Sequence, residues 1–208
     1  MNYVLFGMQG SGKGTQSKFL AEKFGLAIFE TGAALRALAS DGSELGNKVK
    51  AIMEAGNLVS TEVVMEIIAD FIHKLPEGQS VLFDGIPRSK DQQEQFDALM
   101  ESEGLNFTGI LIEISEDEAL RRLTTRRLCS SCKSVFPAFY EGDKCENCDG
   151  ELTTRKDDTP DAIRVRLDTF LEKTVPVIEA YKAQEKMIIV NGEQSIEGVT
   201  SELINKIG

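Results

Sequence analysis

No stretch of this 208-residue chain approaches the roughly 18–20 consecutive apolar residues that cross a bilayer, which excludes a membrane-spanning helix. Proline is scarce, with 5 residues against 18 glycines. Together with 41% hydrophobic and 27% charged residues, this composition excludes a disordered or fibrous chain. Positive charge is in deficit as well. The 23 Lys+Arg face 34 Asp+Glu, and a net charge of −11 argues against a surface given over to nucleic acid or an anionic membrane. Met1 to Phe6 has no basic region and only a short apolar run before Gly7, so no signal peptide is expected and the chain is placed in the cytoplasm. Thiols stay reduced there. That bears on cysteine, which is missing everywhere except residues 129–148, where all 4 lie.

The few basic groups are unevenly spread. Of the nine arginines, seven fall between residues 121 and 166, a segment whose formal charge is +2 while the remainder carries −13. A cationic segment on an acidic body suits a site for several phosphates, because guanidinium groups hold phosphate oxygens in pairs. A solvated helix surface would give the same count, so charge alone leaves both readings open.

Short apolar runs alternate with longer amphipathic stretches. Tyr3–Phe6, Ala27–Phe29, Val81–Phe83, Gly109–Ile114 and Met187–Val190 read as strands, nearly all continuous rather than alternating, as in a parallel sheet buried on both faces. Helices are expected at Lys13–Phe24, Gly32–Ser40, Glu44–Ala55, Thr61–Lys74, Asp91–Glu103, Asp117–Arg127, Pro160–Tyr181 and Ile196–Ile207. Thr159 ahead of Pro160, and Ser195, are candidate caps. Between Ala27 and Val81 lie three helical segments, more than one crossover requires, so this region carries an insert. Leu128 to Asp157 is turn-rich and poor in large apolar residues, too little for a core of its own.

Directly after the first strand stands Gly7-Met8-Gln9-Gly10-Ser11-Gly12-Lys13-Gly14-Thr15, followed by a helix. Strand, glycine loop, lysine and helix in this order cradle nucleotide phosphates: backbone N–H groups turn inward, the helix start adds its positive end, and the lysine reaches the outer phosphates. Gly14 occupies the place where most such loops put the Mg²⁺-ligating hydroxyl, with Thr15 one step later.

GxxxxGK followed by Gly-Thr-Gln resembles the nucleoside monophosphate kinases, and the rest of the chain resembles an adenylate kinase. Thr31-Gly32 with Leu35-Arg36 is similar to TGDMLR, and Asp84-Gly85-Ile86-Pro87-Arg88 with Gln92 to DGFPR. Arg122 with Arg126-Arg127 is similar to RxxxRR, and Thr154-Arg155-Lys156-Asp157-Asp158 to TRxDD. Gln9, Ala33 and Ile86 depart from the pattern, standing where Pro, Asp and Phe are usual. The resemblance implies a P-loop α/β fold with a parallel five-stranded sheet flanked by helices (residues 1–29, 60–121 and 159–208), a helical AMP-binding insert (30–59) and a zinc-binding lid (122–158). It implies reversible, Mg²⁺-dependent, in-line phosphoryl transfer from ATP to AMP giving two ADP, by a monomer.

By the same resemblance Lys13, Arg88, Arg126, Arg155 and Arg166 are catalytic. ATP contacts fall on Gly10, Ser11, Gly12, Lys13, Gly14, Thr15, Arg122, Arg126, Val135, Phe136 and Gln194. AMP contacts fall on Thr31, Gly32, Arg36, Val59, Gly85, Arg88, Gln92, Arg155 and Arg166, and Mg²⁺ is oriented through water by Asp84 and Thr15. The Gln92 amide suits adenine, whose edge offers a donor beside an acceptor. The attacking oxygen is already an anionic phosphate, so no tuned general base is needed; the sole histidine, His73, reads as a helix-end surface or packing residue. Two other readings use the same motifs: a kinase for another nucleoside monophosphate, and a P-loop NTPase whose metal ribbon binds nucleic acid. The acidic total and the scarcity of aromatics near a basic face weigh against the latter.

Cys129-x2-Cys132-x12-Cys145-x2-Cys148 has the form of two knuckles converging on one tetrahedral Zn²⁺. Disulfides are the competing reading, disfavoured by a reducing compartment. Four thiolates leave no open coordination position, so such a zinc is structural. Zinc-bearing lids of bacterial adenylate kinases resemble this segment, although the two knuckles here are several residues closer in sequence.

Overall fold

The computed structural model describes residues 1–137, 140–154 and 158–208. Five strands, β1 Asn2–Phe6, β2 Ala27–Glu30, β3 Val81–Asp84, β4 Phe107–Glu113 and, labelled in chain order after three short strands of a second sheet, β8 Met187–Asn191, form one sheet in the order β2-β3-β1-β4-β8. Every pairing in it is parallel. Parallel neighbours require crossovers, and the helices supply them: α1 Lys13–Phe24, α2 Thr31–Leu38, α3 Glu44–Glu54, α4 Thr61–His73, α5 Lys90–Ser102, α6 Glu116–Thr125, α7 Pro160–Thr169, α8 Val175–Ala183 and α9 Ile196–Ile207.

Both faces of the sheet are covered, as the continuous apolar strands require. Tyr3 and Leu5 of β1 point into a cluster with Leu20, Ile110, Ile112, Val190, Val199 and Leu203, between the sheet and α1 and α9. Val4 and Phe6 point the other way, into the larger cluster that holds Phe83, Phe96, Ile163, Val177 and Tyr181. There, rings run in contact from Phe29 through Phe83, Phe96, Phe107 and Tyr181 to Phe6, with centroids 5.3–6.1 Å apart. Tyr181 is fully buried and donates its hydroxyl to Asp97 Oδ1 at 2.7 Å, which satisfies its one polar atom.

Three local outcomes differ from the sequence expectation. Pro160–Tyr181 is not one α-helix: a π-turn, Phe170–Thr174, separates α7 from α8. Pro176 lacks an N–H and its ring excludes a carbonyl one turn back, so the ladder widens there. The turn aims the buried Thr174 hydroxyl at the Arg88 carbonyl, 2.9 Å away. Helix α6 stops at Thr125, because Arg126 is extended and Arg127 opens a strand. The turn-rich segment also makes a small antiparallel sheet of its own, β5 Arg127–Cys129, β6 Val135–Phe136 and β7 Leu152–Thr153 in the order β6-β5-β7. Thr159 and Ser195 do cap α7 and α9, accepting from Ala162 N and Gly198 N.

Candidate active site and metal centre

The carboxyl ends of β1 and its neighbours β3 and β4 mark the point where strand order reverses, the usual place for a ligand on such a sheet. The loop after β1 sits there. Gly10 and Gly12 take φ of 87° and 95°, which only glycine adopts without strain, and Gly12 caps α1 with no side chain. The helices α3, α5, α6, α7 and α9 have hydroxyl caps; α1, like α2 and α4, has no side-chain cap, and its Thr15 N–H bonds back to the Gly12 carbonyl. Lys13 curls over the loop, its Nζ donating to the carbonyls of Gly7 at 2.6 Å and Met8 at 3.1 Å. Burial of that ammonium pulls its pKa to about 8, against the opposing pull of Asp84.

Asp84 ends β3, is 7% exposed, and receives no hydrogen bond among the described residues. Burial raises its pKa, and Lys13 opposes the rise. Two arginines act on this carboxylate through their charge, without bonding it, and both lie across glycines. Arg88 folds over Gly85, where a Cβ would stand 2.5 Å from its Nη2, and its Nε donates to the Gly85 carbonyl at 2.7 Å. Arg36 folds over Gly32, where a Cβ would stand 3.0 Å from Nη1. Their glycines are therefore clearance for guanidinium groups. Arg88 is held further by its backbone: its N–H donates to Gln92 Oε1 at 2.8 Å and its carbonyl takes the Thr174 hydroxyl. Gln92 is thus buried with its oxygen engaged, which leaves its amide N–H pair as the half free for a base.

On the opposite flank Asp158 gathers Arg126 and Arg166. Arg126 donates from Nε and Nη2 at 2.6 and 2.7 Å, and Arg166 from Nη2 at 2.7 Å. Burial works against the ionised form of Asp158, yet the bonds from Arg126 and Arg166 hold its pKa below the usual carboxylate range. Arg126 is close enough to depress the Lys13 pKa and Arg166 that of Arg88, so the two flanks face one another. Arg122 lies between Glu118 Oε1 at 2.6 Å, the Gly192 carbonyl at 2.9 Å and the Gly10 carbonyl at 3.4 Å. Two hydrogen bonds from Arg121, and one from Arg122, pull the Glu118 pKa to about 2.

The other expected site residues fall as follows. Thr31, Leu35, Phe29, Val64 and Ile67 line a small apolar hollow; Val59 is buried in the core cluster. Val135 is 53% exposed, whereas Phe136 is 3% exposed and stacks on Tyr140 within the small sheet's own core. Gln194 is exposed and donates to Asn191 O and Glu202. Arg155 lies outside the described residues. His73 is on the surface, 3.0 Å from Glu103. The contacts of Asp158, Glu118 and Thr174 escaped the sequence reading; only Asp158 had a signal, the second acid of the Thr154–Asp158 run.

Three buried side-chain oxygens find no hydrogen-bond partner among the described residues: Gln9 Oε1, Ser11 Oγ and Thr31 Oγ1. Two are in the phosphate loop and the third opens α2. Buried polar atoms are normally paired, so the two in the phosphate loop point to a polar ligand there.

The four cysteines converge, with all Sγ atoms within 4.8 Å of one another. Cys129–Cys148 and Cys132–Cys145 are 3.5 and 3.4 Å apart, far beyond a disulfide bond and near the edge of about 3.8 Å that four sulfurs at about 2.3 Å from Zn²⁺ would define. Each knuckle is built alike: Lys133 and Asp149, directly after the second cysteine, take φ of 61° and 57° and donate N–H to the carbonyls of Cys129 and Cys145. The N–H groups of Ser131 and Cys132 point at Cys129 Sγ, 3.4 Å away, as second partners of a metal thiolate do. The donor set therefore fits one tetrahedral ion.

A glycine loop over a helix start without a side-chain cap, a lysine folded across it, and arginines on both flanks at the carboxyl edge of a parallel sheet define a P-loop kinase of the α/β class. The adenylate kinase family model matches residues 5–186. The adenylate kinase of Petrotoga mobilis is 38% identical over 99% of this chain and 96% of that protein, and that of Methanocella arvoryzae is 36% identical over 98% and 96%. The adenylate kinase of Caldicellulosiruptor bescii is 34% identical over 100% of this chain and 99% of its own length. The chain belongs to the adenylate kinase family, whose reaction converts ATP and AMP to two ADP with Mg²⁺ accompanying ATP. No helix among the described residues is long and apolar enough to cross a membrane.

Proposed function

We propose that this chain transfers the γ-phosphoryl group of ATP directly to the α-phosphate of AMP, in line, at the junction of β1, β3 and the two arginine flanks. The observation that carries the reading is the set of orphaned oxygens: Gln9 and Ser11 in the phosphate loop and Thr31 at the first position of α2, next to the strand end that faces Asp84. Phosphoryl transfer leaves a protein little covalent work; it must position both reactants and offset charge on the transferred oxygens. Gly10 to Thr15 bind the donor phosphates through backbone N–H groups, and Lys13 leaves its two carbonyls for the outer phosphates. Arg122 offers its guanidinium plane to the donor base. Arg36 and Arg88 hold the acceptor phosphate, with Thr31 beside the base and the free half of the Gln92 amide reading its edge. Arg126 and Arg166, with Arg155, neutralise the group in transit.

Mg²⁺ accompanying ATP would supply positive charge to offset that of the outer phosphates. The Asp84 carboxylate, buried without a hydrogen bond, and the Thr15 hydroxyl would hold it through water. We read residues 1–29, 60–121 and 159–208 as the core, 30–59 as the acceptor-binding insert and 122–158 as a lid whose Zn²⁺ makes it move as one body, excluding water from the transfer. A monomer acting in the cytoplasm, without nucleic acid or membrane partners, fits the acidic surface.

The test is ADP formation from ATP with AMP, GMP, UMP or CMP in turn. AMP-dependent ADP is expected, and ATP hydrolysis independent of any acceptor would overturn the proposal. Replacing Arg88 by Ala is expected to raise the KM for AMP on the order of 10²-fold, with the KM for ATP nearly unchanged. Equal losses for both nucleotides would contradict the placement of Arg88.

A further inference from the structure

Glu30 has no part in the site as described so far. It is the last residue of β2 and pairs in register with Asp84, the last residue of β3, so the two carboxylates stand on adjacent strands at the carboxyl edge of the sheet. Its Oε1 accepts from Arg36 Nη2 at 2.9 Å. The pair is open to solvent, with side chains 42% and 47% exposed for Arg36 and Glu30. The first turn of α2 contains no acidic residue, Ala33 standing where the similar motif has Asp, so Glu30 is the carboxylate that engages this arginine.

We propose that Glu30 sets the affinity for the acceptor by competing with its phosphate for Arg36. The inference rests on the reading of Arg36 as an acceptor-phosphate arginine. The carboxylate occupies Nη2 of the guanidinium; an arriving phosphate dianion either displaces it or sits beside it. Two effects oppose one another. Glu30 preorders Arg36, which favours docking, and its charge repels the dianion while its own bond is given up, which disfavours docking. The second effect is larger, because the repulsion acts on a double charge and preordering saves the freedom of one side chain only. The Glu30 charge is also felt beyond its partner: it acts on Lys13, Asp84 and Arg88, raising the proton affinity of each. Acceptor affinity is thereby held below what the arginines alone would give, and a negative phosphate is the chemistry that registers the difference.

The experiment is calorimetric titration of the full chain and its Glu30→Gln variant with AMP, with adenosine as the phosphate-free probe, at low and high salt. The expected result is a Kd for AMP about 2- to 5-fold lower in the variant, with adenosine binding and the KM for ATP unmoved. Salt should narrow the difference. An AMP Kd that is unchanged or raised overturns the proposal, and an equal shift for adenosine shows that the pocket was reshaped instead. Arg36→Ala separates the two layers. If it leaves AMP binding intact, the reading of Arg36 itself fails. If it weakens AMP binding while Glu30→Gln does nothing, only the competition fails.

Discussion

Lys13→Met is expected to lower kcat/KM for ATP by on the order of 10²- to 10³-fold while making the protein more stable, not less. The two changes have one cause. Lys13 is held over the phosphate loop by two carbonyls, with Asp84 as its nearest opposing charge, and burial still pulls its pKa to about 8. An ammonium whose folded pKa lies below the unfolded value near 10.4 destabilises the fold wherever it is charged in both states. That penalty is full below pH 8, shrinks as pH rises from about 8 towards 10.4, and is gone above it. The variant should therefore exceed the parent by roughly 1–2 kcal/mol at neutral pH in denaturant titrations, with the gap closing in alkali. Bound phosphates supply what the empty loop lacks. The parent should accordingly lose kcat/KM for ATP as pH passes about 8, when free Lys13 gives up its proton. A variant that is inactive and also less stable would show that Lys13 braces the loop, and would remove the argument that its charge is held for a ligand.

Removal of the metal should give the largest structural effect. The small sheet buries little: Cys129, Phe136 and Cys145 with Tyr140 and Leu152 against them. Small cysteine modules gain on the order of 10–16 kcal/mol from Zn²⁺ at neutral pH, so a bound Zn²⁺ would be the main term ordering this segment. Its thiols also do not ionise alike, with Cys132 drawn down to about 6 by the Ser134 hydroxyl and Cys145 driven up to about 12 by burial; a shared cation is what makes all four thiolates at once. Metal analysis is expected to find one Zn²⁺ per chain. After chelation, amide exchange should accelerate through residues 127–154 and leave β1, β3 and β4 protected, and the first thermal transition should fall by about 10 °C or more. Phosphoryl transfer should fall with it, because Arg126 leads directly into β5. Cys145→Ser should reproduce the chelated state. A metal-free protein with unchanged exchange in this segment would show that the sheet stands on its own packing.

The parallel sheet was legible because each of its strands is a short continuous apolar run, a pattern forced by burial on both faces. The phosphate loop was legible because its function is a property of consecutive residues. Helix caps at Thr159 and Ser195 are local as well and emerged as expected. The π-turn at Phe170–Thr174 was not, since Pro176 near a helix start reads equally as a legal N-terminal proline or as a break inside a longer helix. Nor was the three-stranded sheet, whose strands of two and three residues are too short to carry a periodicity.

What the sequence determined by itself is the inventory: a glycine loop with its lysine, a cluster of arginines on an acidic chain, and two cysteine pairs at ligand spacing. Which arginine meets which carboxylate was decided only by the tertiary structure. Asp158 reaches Arg126, 32 residues away, as well as Arg166, and the Arg88 carbonyl meets Thr174, 86 residues away, while the Glu118–Arg122 pair on α6 is the local exception. A guanidinium reaches several ångströms in any direction from its backbone, so its partners depend on how distant elements pack as well as on its neighbours in sequence. The glycines carry that dependence in miniature: in the sequence Gly32 opens an expected helix and Gly85 belongs to a motif, and only the fold shows Arg36 and Arg88 lying across them.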